Sequence, residues 1–427
     1  MTHMSLTRSL RRARHWRASV FVVALLPCGT WAAATTPAVD YAAIMRLTVD
    51  GLIASQSAEG LFPYGFDFLS DKAMEPEHAS ASNLIRQAGT VAALATYYRY
   101  TRDARLQEPL QRSLAALGRH SLPIGKAPLQ GWIERTRVLS LPFARWKLMS
   151  ALRRFGLLYE TAGDGKVVSP DGNYGSALAG TVALSLLAEL RYSDTARDDR
   201  FAQMRTAWLN GLLSLRIPGK GFRQTPTSID ESDYFNGEGW LALAVYGDLH
   251  RTDARVSAEL ADLDAVLMRH YSRDPSPSFY HWGAMAAAQR FGTTGDVRFL
   301  GFLREQSDVF FARMQKRRSD DANHCASMEG TAATLGVLNR SGEGSTARAL
   351  RASHWLSEQA ARLPRLQIQP GQTDMSMGGE ATLHAPSMAR FPGAFLFGTF
   401  EPKTRVDNAQ HCLSAMIMIA RDGLDRR

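Results

Sequence analysis

Four carboxylates lie close together near the middle of the sequence, in the segment IDESDYFNGE at residues 229–238. Burial and a neighbouring like charge both raise the pKa of a carboxyl group, so acids this close can differ in protonation. Hydrolysis of a glycosidic bond needs one protonated and one ionised carboxyl group. We predict that Glu238 is the general acid, because it lies inside the helix that begins here, and that Asp233 is one candidate base. The alternative is that residues 230–233 only cap the helix.

Two histidines and a further aspartate form a second group of candidates. His281 and His411 each precede an apolar segment, and Asp407 lies four residues before His411. Asp407 is the other candidate base for hydrolysis. A histidine can remove and return a proton near neutral pH, so His281 and His411 also fit proton abstraction beside a carbonyl or carboxylate group. The alternative for each histidine is a hydrogen bond that orders a neighbouring helix.

Other polar and aromatic residues at similar positions are candidates for substrate contacts. Arginine pairs with planar anions, and an aromatic ring offers a flat apolar face, although simple packing is the alternative for the aromatic residues. We expect the substrate to contact Arg86, Gln87, Tyr174, Tyr234, Trp282 and Glu329. The sequence contains no glycine-rich phosphate loop, nucleophile elbow or HExxH motif, and we predict neither a cofactor nor a metal ion.

The candidates are positioned by a pattern that recurs six times, in which a polar or aromatic start leads through a small residue into an apolar helix. The repeats begin at positions 82, 173, 233, 279, 323 and 407. Most are followed by a more polar amphipathic helix, such as DARLQEPLQRSLAAL. One helical hairpin cannot bury its apolar face alone, so such repeats stack side by side. We predict an all-α fold in which six hairpins close into a double ring, an (α/α)6 toroid, with an open helical-repeat protein as the alternative.

Two stretches interrupt this pattern. Residues 123–143 predict a short β-excursion near the opening of the ring. Residues 367–401 are rich in Gly, Pro, Met and aromatic residues, which is typical of a long functional loop.

The repeats, together with YFNGE at 234–238, HW at 281–282 and DNAQH at 407–411, resemble the six-hairpin toroid superfamily. That superfamily includes glycoside hydrolases, polysaccharide lyases, sugar epimerases and lanthionine cyclases. The resemblance implies that the inner helices run in one direction and that their N-terminal ends meet at one mouth. It also implies an enzyme that acts on carbohydrate, with hydrolysis first and a uronate lyase or epimerase second. A non-catalytic polysaccharide-binding or assembly protein is the third hypothesis.

The first 34 residues have the composition of a signal peptide. Five arginines precede a short apolar core and the small residues Ala32, Ala33 and Ala34. The apolar core is too short for a permanent membrane helix, which argues against an uncleaved anchor. We therefore predict cleavage after Ala34, a single toroid domain over residues 35–427 and a periplasmic or secreted protein.

Charge and cysteine content agree with that location. The leader carries five of the nine net positive charges, and no basic patch follows it. We predict an oligo- or polysaccharide partner, no nucleic acid and no stable membrane insertion. After the leader the cysteines are Cys325 and Cys412, each preceded by a histidine. A disulfide between them is our first prediction, two buried thiols the second and a zinc site the third.

Overall fold

The computed structural model describes residues 39–76, 81–124, 147, 165–314 and 324–424. Most of these residues are helical. The helices are α1 (Tyr41–Ser55), α2 (Ala81–Thr101), α3 (Gln107–Arg119), α4 (Ala179–Ala196), α5 (Ala202–Ser214), α6 (Asp233–Leu249), α7 (Ala254–Arg273), α8 (Pro277–Thr294), α9 (Val297–Val309), α10 (His324–Arg340), α11 (Ala347–Ala360), α12 (Leu363–Leu366) and α13 (Val406–Asp422). The strands are β1 (Gly65–Asp67), β2 (Lys72–Ala73), β3 (Ser121–Ile124), β4 (Gly165–Val168), β5 (Asp374–Gly378), β6 (Ala381–His384), β7 (Leu396–Gly398) and β8 (Glu401–Arg405).

Six helices form a closed inner ring. Helices α2, α4, α6, α8, α10 and α13 each pack against the next, and α13 packs back against α2. Helices α3, α5, α7, α9 and α11 pack on the outside of the inner helix that precedes each of them, and α1 covers α13. The predicted closed ring of six hairpins is therefore confirmed, and each predicted repeat start leads into an inner helix.

The inner and outer helices differ in burial, which explains the two rings. In α4 every residue from Ala179 to Leu190 is buried, and a helix that is apolar on all sides needs neighbours all round. In α7 the buried residues include Val256, Leu260, Leu263 and Leu267, which recur every three or four positions on one face. The opposite face of α7 is left to solvent.

The strands build a small structure beside the ring. Strands β2, β1, β8 and β7 form a four-stranded antiparallel sheet in that order, and Phe66 of β1 pairs with Thr404 of β8. Strands β5 and β6 form a separate hairpin. A second apolar cluster that includes Phe66, Phe68, Met388 and Leu396 holds this region together. Strand β8 runs directly into α13, so the sheet fixes where the last inner helix begins.

The two interruptions of the helical pattern have different outcomes. In the segment 123–143, the first two residues belong to β3, which pairs with β4, and the rest lies outside the described residues. The segment 367–401 is more ordered than a plain loop, because it contains the β5–β6 hairpin and β7. The leader also lies outside the described residues, so its cleavage stays a prediction. In the part of the chain that is described, no helix is long and apolar enough to cross a bilayer.

Candidate active site

The N-terminal ends of the inner helices surround a cavity of about 290 Å³. Its walls come from α2, α4, α6, α8, α10 and α13, together with the end of β8. Several residues predicted from the sequence line this cavity, namely Arg86, Tyr234, Glu238, His281, Trp282, Asp407 and His411. The shared mouth implied by the resemblance therefore exists, and it brings together acids, histidines and aromatic rings.

Glu238 is a buried carboxyl group in the second turn of α6. The residue is 4% exposed, and Gly180 of α4 makes room for it, because an added Cβ at Gly180 would collide with the Glu238 carboxyl group. Among the described residues, the Glu238 Oε2 atom has no hydrogen-bond partner. Burial raises the pKa of Glu238 well above its ordinary value. A raised pKa favours the protonated form of the carboxyl group, which is the form that can donate a proton.

Asp407 lies in the first turn of α13, and its pKa is shifted in the opposite direction to that of Glu238. The Arg405 Nε atom donates to Asp407 Oδ1 at 2.6 Å, and the Arg86 Nε atom donates to Asp407 Oδ2 at 3.0 Å. Burial acts to raise the pKa of Asp407, but the hydrogen bonds from Arg405 and the charges of Arg405 and Arg86 outweigh it and lower the pKa. Asp407 is therefore ionised at neutral pH.

A histidine and a glutamate form a hydrogen-bonded pair on the same side of the cavity. The His411 Nδ1 atom lies 2.7 Å from the Oε2 atom of Glu329, which is buried on α10. Burial acts to lower the pKa of His411, but the Glu329 hydrogen bond and the charges of Glu329 and Asp407 raise it overall. The His281 ring packs edge-on against the His411 ring, with 5.3 Å between the ring centroids. The nitrogen and oxygen atoms that His281, Glu329 and His411 offer to a metal ion all lie within 4.8 Å of one another.

Four predicted site residues do not line the cavity, and their hydrogen bonds explain why. One of them, Glu329, lies behind the cavity wall and bonds His411. The Asp233 carboxylate accepts from the Tyr271 hydroxyl at 2.8 Å and from the Ser276 hydroxyl at 2.6 Å, so it ties the start of α6 to the α7–α8 connection. The Gln87 side chain is fully buried and bonds both backbone groups of Phe62. The Tyr174 hydroxyl donates to the backbone carbonyl of Pro123. The structure thus gives these residues contacts that order the fold.

Some cavity residues were missed by the sequence analysis. Arg405 is the clearest case, because it ends β8 and reaches the cavity through sheet pairing that no local pattern reveals. Its position two residues before Asp407 was the available signal. Gln410 also lines the cavity and packs against Gly89 of α2, where an added Cβ would collide with its side chain.

A disulfide joins two inner helices next to the site. Cys325 of α10 and Cys412 of α13 are bonded, with their Cα atoms 4.7 Å apart. Cys412 follows His411 directly, and Cys325 lies one helical turn before Glu329. The disulfide therefore fixes the two helices that carry the His411–Glu329 pair.

Comparisons with known proteins give a fold but no close relative. No protein-family model matches the sequence, and no curated protein sequence matches it. The alpha-1,6-mannanase GH76A of Salegentibacter sp. HEL1_6 has a similar structure, with 10% identity, a TM-score of 0.52 and coverage of 90% of this chain and 100% of that one. A variant of that enzyme described as inactive, with two consecutive aspartates replaced by alanine and alpha-1,6-mannotetrose bound, has a TM-score of 0.51, 10% identity and coverage of 90% and 99%.

A family 76 glycoside hydrolase from a bovine Bacteroides thetaiotaomicron strain is also similar. Its TM-score is 0.50 at 8% identity, over 89% of this chain and 77% of that one. At these identities the likeness establishes the architecture, since one fold hosts many activities. The protein has the six-hairpin α/α toroid fold that these glycoside hydrolases share.

Proposed function

We propose that the protein hydrolyses glycosidic bonds of an oligo- or polysaccharide bound at the mouth of the ring. The observation that carries this proposal is the contrast between Glu238 and Asp407. Both carboxyl groups face one cavity, and their environments move their pKa values in opposite directions. Two carboxyl groups separated in this way are the usual acid and base of a glycosidase.

Each group has a defined part in the reaction. Glu238 donates its proton to the glycosidic oxygen as the bond to the anomeric carbon breaks. Asp407 accepts a proton from the attacking water, whose oxygen forms the new bond to that carbon. Positive charge develops on the sugar ring in the transition state, and the ionised Asp407 stabilises it. Arg86 and Arg405 hold Asp407 in place and keep it ionised.

Aromatic rings at the mouth support sugar binding. The Tyr234 side chain is 45% exposed, and Trp282 lies deeper in the same cavity. Such rings offer flat apolar faces with a polar edge, and this combination suits a sugar ring. Arg86 and Arg405 add positive charge on the opposite wall, which fits hydroxyl or carboxylate groups of the substrate.

The second candidate function is proton abstraction by a lyase or epimerase, and the His411–Glu329 pair favours it. A carboxylate that bonds a histidine orients it for proton transfer. Against this candidate, the raised pKa of His411 increases its protonated fraction near neutral pH, and a protonated histidine is not a base. A tyrosine hydroxyl can assist such a histidine; Tyr234 lines the cavity, whereas the Tyr280 hydroxyl is buried against Thr331.

The substrate and the location belong to the same proposal. The mannanases suggest alpha-1,6-linked mannan as the first polymer to test, but the described residues that line this cavity include no two consecutive aspartates. Other polymers must therefore be tested beside mannan. We infer export to the periplasm or the medium, supported by the Cys325–Cys412 disulfide, because disulfides persist in oxidising compartments.

The test is incubation of the purified protein with alpha-1,6-mannan and with other neutral and uronate polysaccharides. Reducing ends report hydrolysis, and ultraviolet absorbance of an unsaturated product reports a lyase. The variants are Glu238→Gln, Asp407→Asn and His411→Ala, with Asp233→Asn as a matched control in the same helix as Glu238. New reducing ends that depend on Glu238 and Asp407 but not on Asp233 support the proposal. An unsaturated product, or glycan binding without turnover, contradicts it.

A further inference from the structure

We propose that His281, Glu329 and His411 form a binding site for one divalent transition-metal ion, with Zn²⁺ as the best match. Two imidazoles and one carboxylate are a common protein ligand set of zinc sites that keep one coordination position open. The atoms that these three side chains offer lie within 4.8 Å of one another. This proposal departs from the sequence-based prediction of no metal ion, and it does not depend on the roles given to Glu238 and Asp407.

The three ligands come from neighbouring helices of the inner ring. His281 lies on α8, Glu329 on α10 and His411 on α13, and α10 packs against both of the other helices. His281 and Glu329 are 4% and 1% exposed, and the His411 side chain is 12% exposed. Both histidines also line the cavity. An ion at this position has protein on one side and the cavity on the other, which leaves room for a water molecule or a sugar hydroxyl as a further ligand.

Two features of the packing hold the ligands close before any ion binds. The Cys325–Cys412 disulfide joins α10 to α13 within one turn of Glu329 and His411. Gly330 lets α8 approach α10, because an added Cβ there would lie 2.8 Å from the Tyr280 ring and 3.0 Å from the His281 Cα atom. Ligands held in advance lose less conformational entropy when a metal ion binds.

The donor atoms select the class of ion. Ca²⁺ and Mg²⁺ prefer oxygen ligands, so a site with two imidazoles disfavours them. Zn–N and Zn–O bonds of about 2.1 Å place tetrahedral ligands roughly 3.4 Å apart. The separation of up to 4.8 Å therefore has to shrink by a small side-chain movement.

The experiment measures metal binding to the whole protein, prepared without a histidine tag and stripped with a chelator. Isothermal titration with Zn²⁺ should give one ion per chain. His281→Gln and Glu329→Gln preserve side-chain size and should weaken Zn²⁺ binding by at least about tenfold. His384→Gln is the matched control, because His384 and Asp374 form an exposed histidine–carboxylate pair at 2.8 Å, and this variant should bind as the parent does.

Several results would overturn the site. Absence of saturable Zn²⁺ binding does so, and so does binding that survives both cavity variants or is lost in His384→Gln. If a cavity variant does not fold, X-ray absorption of the Zn²⁺-loaded parent decides, since fewer than two imidazole ligands contradict the proposal. None of these measurements uses turnover, so a negative result here leaves the hydrolase proposal standing, and the reverse also holds.

Discussion

The two ends of the helical ring hold cavities of similar size and different chemistry. The cavity at the N-terminal ends measures about 290 Å³ and holds acids and histidines, whereas the one toward the C-terminal ends measures about 350 Å³ and is lined by Arg191, Arg340 and Arg421. Helix N-termini carry partial positive charge and C-termini partial negative charge. The arginines at the C-terminal end are thus what the helix dipoles favour. The buried Glu238 carboxyl group at the other end, whose pKa is raised, has no such explanation.

Arg191 is an arginine that lines the C-terminal cavity and does not exchange a proton at neutral pH. Its guanidinium donates to the Thr96 hydroxyl, and burial, followed by the charges of Arg99 and Arg421, lowers its pKa to about 9. A group with that pKa remains largely protonated at neutral pH and transfers no proton there. The N-terminal cavity, in contrast, holds two carboxyl groups whose pKa values are shifted in opposite directions, upward for Glu238 and downward for Asp407. The two cavities are similar in volume, so the pKa shifts of the lining residues are what distinguish the candidate catalytic cavity from the other one.

The largest expected effect is on the reaction rate, which should depend on the N-terminal cavity and hardly on the C-terminal cavity. Replacing the acid in Glu238→Gln removes proton donation to the leaving group and should lower the rate by about 10²- to 10⁴-fold. Arg191→Met changes the C-terminal cavity and should alter the rate less than about twofold, since it touches no reacting group. Initial rates on the polymer that the panel identifies give the answer. Equal losses in both variants would show that the two ends do not differ in function.

The second effect concerns the disulfide beside the N-terminal cavity. The double variant Cys325→Ser, Cys412→Ser opens a link between residues 87 positions apart and should lower the free energy of unfolding by about 2–4 kcal/mol. Chemical denaturation measures this change. Reductant added to the parent should reproduce it, and an unchanged denaturation midpoint would mean that packing alone holds α10 against α13.

Two glycines, one at each end of the ring, should change the stability in opposite directions when they are replaced by alanine. Gly330→Ala places a Cβ against Tyr280 and His281 at the mouth and should destabilise the protein by about 1–3 kcal/mol. Gly292 lies in α8 beside the C-terminal cavity and has open space around it, so Gly292→Ala should stabilise by about 0.4–1 kcal/mol. Thermal unfolding of both variants tests this. Stability changes of the same sign in both variants would contradict this difference between the two ends.

The smallest effect is a dependence of stability on pH. The folded state raises the pKa of Glu238 above 4.5, so the stability that its bound proton contributes is fully present below pH 4.5 and is lost as the pH rises through the raised value. Glu238→Gln should therefore flatten the fall in unfolding free energy toward alkaline pH. Glu189, a buried glutamate whose pKa is raised to about 7 and which pairs with Arg205, is the control outside the cavity. A slope unchanged in Glu238→Gln would contradict the buried, protonated state.

The repeats predicted the fold because the signal is repeated and local. Each inner helix is marked by an apolar run after a polar or aromatic start, and a ring of such helices forces those starts to one end. That reasoning placed Glu238, His281, Asp407 and His411 around one cavity, where the structure has them.

The rest depends on contacts that a linear pattern does not carry. Asp233 and Glu238 are five residues apart, yet Asp233 bonds Tyr271 and Ser276 while Glu238 faces the cavity. Arg405 reaches the site only because β8 pairs with β1. The separation of the two carboxyl pKa values follows from these arginine and packing contacts, so it was visible only in three dimensions.

Closure of the ring by α13 also sets an order of events. The Arg86–Asp407 ion pair joins residues 321 positions apart, and α13 brings Asp407 and His411 at the same time as it meets α1 and α2. During synthesis, α2, α4, α6, α8 and α10 are all made before α13, which supplies the last wall of the cavity. Contacts between such distant segments close a long loop at an entropic cost, which slows their formation. The candidate site therefore stays incomplete until α13 closes the ring, because Asp407 and His411 join Glu238 and His281 only with that helix.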